Sequence, residues 1–145
     1  MNRRNLLHMM GAAAVVPFVT EPVLHAATTT AEGEPGEVFE LRTYTCFPGK
    51  LPALLDRFRT YEAKIFARLG MPGVGFWTLT DEPGKNDKLV YMLRHKSRKQ
   101  ADENWAKFRT DPEWVKVKAE SEKDGVLVDK HEIVFLALTD FSPKI

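Results

Sequence analysis

The stretch "GVGFWTLTDEPGKNDKLVYMLRH", residues 73–95, decides the fold. Its two ends are rich in β-formers, and "DEPGKND" between them is turn-forming. Residues 73–80 and 88–95 therefore read as two successive strands. On either side the pattern becomes helical. Leu51, Leu54, Leu55, Phe58, Tyr61, Ile65, Phe66 and Leu69 recur at helical spacing, with Pro52 in the first turn and Gly70 as the stop. After the second strand, Ser97 and Gln100 form a capping box ahead of a helix with Ala101, Trp105 and Phe108 on one face. Asp111-Pro112 restarts the chain as an N-cap and first-turn proline, giving a short helix to about Asp124. Alternating "VFELRTYTC" (38–46) and "VLVDKHEIVFLAL" (126–138) supply the first and last strands. The order is βαββαβ, an α+β ferredoxin-like protomer with an antiparallel sheet and both helices on one face.

Helices on one face leave the other open, yet the strands are not cleanly polar on either side. Val38, Tyr44, Val90, Met92 and Phe76 or Trp77 cannot all lie beneath the helices, and an apolar sheet face is expected to find a partner. The expected solution is a homodimer whose sheets pack face to face, a dimeric α+β barrel. The face carrying Glu40, Arg42, Tyr44 and Cys46 is expected to be the one that needs this partner.

Composition sets the class. Of 145 residues, 43% are hydrophobic and 28% charged, the balance of one globular domain. A formal net charge of +1 gives no field to attract nucleic acid, and no basic stripe is present. A single cysteine excludes an internal disulfide and a thiolate metal cluster. Gly-rich phosphate loops, nucleophile elbows and zinc-protease motifs are missing from the sequence, so nothing in it requires a cofactor, and none is expected.

The first 26 residues read as an export signal. Arg3 and Arg4 form a basic start, an Ala- and Val-rich stretch follows to Val19, and small residues stand at Ala26 and Ala27. Arg-Arg-x-Leu-Leu resembles a twin-arginine address. The expected organisation is a twin-arginine signal peptide at 1–26, a flexible linker at 27–36 and a folded domain at 37–143. The expected destination is the periplasm or the exterior, with no membrane association once the signal is removed. Removal would take two Arg and one Glu from 21 basic and 20 acidic residues, leaving 19 of each. His95 and His131 would be the remaining histidines.

Taken together, "ELRTYTCFPGK", "GFWT", "NDKLVYMLRH", "WAKFRTDPEW" and "FLALTDFSP" resemble the NIPSNAP family of the dimeric α+β barrel superfamily. The resemblance covers residues 37–143 and implies the same ferredoxin-like protomer and dimer. The wider superfamily includes cofactor-free monooxygenases, isomerases, decarboxylases and haem-binding enzymes. Animal NIPSNAP relatives are associated with mitochondria and vesicles, a setting from which the bacterial-type export signal departs.

The candidate chemistry is sparse. Arg42 shares a strand face with Glu40 and Tyr44; it suits a carboxylate or enolate clamp, or a structural pair with Glu40. Tyr44 suits a hydrogen bond to a ligand oxygen, or packing. His95 is the best general base on offer, without a spaced metal-ligand partner, and no metal site is expected. Cys46 lacks an activating neighbour. Arg42, Tyr44 and His95 are thus the catalytic candidates, and Trp77, Trp105 and Phe58 the candidates to line an apolar pocket between sheet and helices. Such a pocket would bind a small apolar molecule, with cofactor-independent oxygenation or isomerisation as the reaction class. The alternative is a non-enzymatic dimeric binding or assembly module.

Overall fold

The structure, a computed structural model, describes residues 36–81 and 87–145. The expected signal peptide at 1–26, nearly all of the expected linker at 27–36 and residues 82–86 lie outside these residues. Strands β1 (Val38–Cys46), β2 (Gly73–Thr78), β3 (Lys88–His95) and β4 (Val128–Leu136) form one antiparallel sheet in the order β2-β3-β1-β4. This is the expected ferredoxin-like arrangement. Between β1 and β2 run α1 (Leu51–Arg57), a π-helical segment (Phe58–Glu62) and α2 (Ala63–Arg68); between β3 and β4 run α3 (Arg98–Thr110) and α4 (Pro112–Ser121).

Both N-caps form, but the expected capping box is one-sided, because the Gln100 side chain turns to Asn104 instead of back to Ser97. Ser97 Oγ accepts the Gln100 amide at 3.1 Å, and Asp111 Oδ1 accepts the Trp114 amide at 3.1 Å, so each helix start has an orphan N–H satisfied. Asp111 does a second job, because the Arg68 guanidinium grips both its oxygens at 3.0 Å and ties α2 to the α3–α4 corner. Gly70 ends α2 with a φ of +82°, a left-handed turn that a side chain would strain.

Register fixes the two sheet faces. Arg42 pairs with Tyr91 on one side and Ile133 on the other; Glu40 pairs with Leu93 and Phe135. Cross-strand partners share a face, so Val38, Glu40, Arg42, Tyr44 and Cys46 lie with Leu89, Tyr91, Leu93 and His95 beneath the helices. There Phe66, at the centre of the core, contacts Phe58, Tyr91, Trp105 and Phe108 ring to ring. The open face instead carries Leu41, Val90, Met92, Trp77, Val134 and Leu136. This corrects the expectation that the face of Arg42 and Tyr44 needs a partner. Both faces of β1 carry apolar residues, and the charged ones lie inside because β3 and α3 bring them partners.

A second correction concerns the first helix. The periodicity places Tyr61 inward, but Tyr61 is exposed while Glu62 is buried. The π-helical turn, with the Ala63 amide bonded to the Phe58 carbonyl five residues back, rotates the following residues and exchanges the two.

Candidate functional site

The candidate site grows from one strand and one helix. Alternation along β1 aims Glu40, Arg42 and Tyr44 at the helices, and α3 lays Trp105 across them. Glu40 Oε2 accepts the Trp105 indole N–H at 2.6 Å and lies 2.8 Å from His95 Nε2; its Oε1 lies 3.2 Å from Arg42 Nε. The Arg42 guanidinium stacks on the Trp105 ring, 3.9 Å from its centroid, and Nη1 donates to the Tyr44 hydroxyl at 3.4 Å. Glu40 is 1% exposed and Arg42 8%, so the group is internal and its charges are mutually neutralised.

Electrostatics follow from that packing. Burial alone would push the Glu40 carboxyl up, but hydrogen bonds from His95 and Trp105 and the charge of Arg42 outweigh it, holding it below the ordinary carboxylate range. Burial works against the Arg42 charge, yet Tyr91, Tyr44 and Glu40 together hold its pKa above the usual value. Burial raises both tyrosines, Tyr91 the more, so both stay protonated hydroxyls. Cys46, at the end of β1, is buried, and desolvation with Asp87 nearby pushes its thiol to about 11; it is not a nucleophile.

A cavity of about 470 Å³ opens against this group, lined by Glu40, Arg42, Arg98, Asp102, Trp105, Arg109, Ile133 and Phe135. The structure brings Arg42, Tyr44, His95 and Trp105 together around Glu40, but only Arg42 and Trp105 of these reach the cavity. His95 sits behind Glu40, wholly buried. Phe58 lies on the other side of Tyr44 and Tyr91, 5.1 Å from the Tyr91 ring, and lines a separate apolar hollow with Phe76 and Leu89. Trp77 does not join them. The register shift between Gly73 and Gly75 turns Phe76 inward and Trp77 onto the open face, where a Cβ on Gly75 would sit 2.4 Å from its ring.

Sequence reasoning missed three residues of consequence. Glu62 and Arg57 form a buried pair at 2.9 Å, and Arg57 also reaches Glu122 at 3.1 Å and Ser121 at 3.3 Å on and beside α4. Burial outweighs the Arg57 charge and pushes the Glu62 carboxyl up to about 7. Tyr91 is the third. Its hydroxyl is close enough to Tyr44 and Arg42 to feel them but meets neither in hydrogen-bond geometry. Tyr91→Phe is therefore expected to change stability by less than about 1 kcal/mol in urea unfolding, since it deletes no well-formed bond. Among the described residues no cluster of three or more acidic, His or Cys side chains could hold a metal, and no helix is long and apolar enough to cross a membrane.

The NIPSNAP family model matches residues 39–143. The chain belongs to the NIPSNAP family. The NIPSNAP match spans every strand and helix described above except the first residue of β1. Solved structures share its fold: a NIPSNAP-like domain protein from Burkholderia xenovorans is 16% identical with a TM-score of 0.64, covering 77% of this chain and 93% of its own. A NIPSNAP family protein from Agrobacterium tumefaciens is 25% identical with a TM-score of 0.62, covering 74% and 97% respectively. No curated protein matches this NIPSNAP chain.

Proposed function

We propose that this NIPSNAP protein is exported by the twin-arginine route and acts as a homodimer that binds a small, largely apolar molecule between sheet and helices. The observation that carries the binding is the cavity of about 470 Å³ floored by Arg42 on Trp105 and walled by Ile133 and Phe135. Its volume lies in the range of small-molecule sites, and Trp105, Ile133 and Phe135 give it apolar surface beside five charged side chains that can fix a ligand's orientation. Arg42 is the group that a ligand carbonyl or enolate oxygen would meet, with Tyr44 supporting the guanidinium. Cofactor-independent oxygenation or isomerisation is the reaction class this suits, because Arg42 offers stabilisation of developing negative charge.

The dimer is supported by the open sheet face, where Trp77 is 49% and Val134 51% exposed beside Leu41, Val90 and Met92. An apolar patch of this kind is self-complementary across a two-fold axis. The same observation favours a second reading, in which the dimer surface itself is the product and the protein is an assembly module.

Arg42→Ala separates the two. If the protein binds a ligand, the variant keeps its dimer and fold and loses a small molecule that native mass spectrometry detects on wild type purified from its host. If fold and dimer go together with the side chain, Arg42 is structural. Size-exclusion chromatography of the purified protein is expected to give a dimer; a stable monomer would overturn the paired-sheet reading.

A further inference from the structure

The charge around the cavity says more about its occupant than its apolar walls do. Three arginines, Arg42, Arg98 and Arg109, face two carboxylates, Glu40 and Asp102. Glu40 is already engaged by Trp105, His95 and Arg42. Asp102 is engaged by Arg98 one helical turn away. The Arg109 side chain makes no ion pair or hydrogen bond among the described residues, so the lining carries one uncompensated positive charge.

The guanidiniums are also held ready. Arg42 stacks on Trp105 and Arg98 stacks on Phe135, each 3.9 Å from the ring centroid. Stacking fixes the plane of each guanidinium, and the edge N–H groups not already turned to Tyr44, Glu40 or Asp102 remain for a ligand, so little rotamer freedom remains to be lost on binding. Two planar cations set on aromatic faces, with a third unpaired at the rim and Ile133 between, match a molecule with one anionic end and an apolar body. We propose that the cavity binds a small monocarboxylate, its carboxylate held by Arg42 with Arg98 and Arg109 and its hydrocarbon body on Trp105, Ile133 and Phe135. This deepens the small-molecule reading above and rests on it. One negative charge neutralises the lining; a dianion would leave an excess, and a neutral molecule would leave the arginines unanswered.

Calorimetric titration of the purified protein with octanoate, its methyl ester and octanol tests this. Octanoate is expected to bind about ten- to a hundredfold tighter than the ester or the alcohol, the worth of charge-assisted hydrogen bonds. The double variant Arg98→Gln/Arg109→Gln, both exposed on α3, is expected to lower the affinity for octanoate and leave that for octanol unchanged. Equal binding of all three probes would overturn the carboxylate assignment while leaving the apolar cavity standing. No binding of any probe would overturn both. A loss of octanol affinity in the double variant equal to that for octanoate would also overturn it, by showing that the arginines act through shape alone.

Discussion

Glu40→Ala is expected to lower the unfolding free energy by about 3–5 kcal/mol, the usual result of removing one partner from a buried charge network. The residue is 1% exposed, accepts from Trp105, lies in hydrogen-bond contact with His95 and ion-pairs with Arg42. Its loss leaves the Arg42 guanidinium and the Trp105 N–H inside the sheet–helix interface without their acceptor. Glu40→Gln keeps the shape and one acceptor oxygen, and its loss should be smaller. Because the Glu40 carboxyl is held below its ordinary value of 4.5, its stabilisation is fully present above that value and is lost as the pH falls through the lower folded one. The gap between wild type and Glu40→Gln in urea unfolding should therefore be constant at neutral pH and close in acid. A loss below about 1 kcal/mol for Glu40→Ala would mean that the network contributes almost nothing to stability.

Glu62 works in the opposite direction. Its carboxyl is pushed from 4.5 up to about 7 by burial, so the folded chain binds a proton between those values that the unfolded chain has released. Stability from this group is present below about pH 4.5 and is lost as the pH rises towards 7. At 1.36 kcal/mol per unit, ionising Glu62 in place costs about 3 kcal/mol. Glu62→Gln, a mimic of the protonated acid that still accepts from Arg57, is expected to match wild type near pH 4. Near pH 8 it should exceed wild type by up to that amount. If the variant is instead the less stable at pH 8, the Arg57–Glu62 ion pair is net stabilising and the direction is wrong.

The two carboxylates show what the sequence makes legible. Alternation alone puts Glu40, Arg42 and Tyr44 on one side of β1, and that much is visible in nine residues. Which side the helices cover is not visible, since Phe39 and Leu41 compete with Val38 and Tyr44 for the inside. The partners that decide it, His95 and Trp105, stand 55 and 65 residues away, and no spacing rule joins them. Trp77 reads as one of an aromatic set lining the pocket; the bulge at Gly73–Gly75, which turns it outward, leaves only a pair of glycines as its trace. Ile133 and Phe135 lie in a strand that the sequence marks, but their place at the cavity follows from pairing with Arg42 and Glu40. Glu62 escapes the sequence for a different reason: helical periodicity assumes an unbroken helix.

That break, the π-helical turn at Phe58–Glu62, bears on how this helix tolerates a change of length. In a regular helix, residues five apart point about 140° away from each other, so Arg57 and Glu62 could not meet. The wide turn behaves as one extra residue accommodated without a loop. Deleting a single residue between Arg57 and Glu62 should therefore leave a smooth, unbroken helix of the ordinary kind. Such a deletion would bring the remaining partners to the four-residue spacing at which side chains are neighbours, while shortening the connection to β2 by one position. A shortened helix that folds would mark this stretch as a place where insertion, and not substitution, set the inward-facing residues.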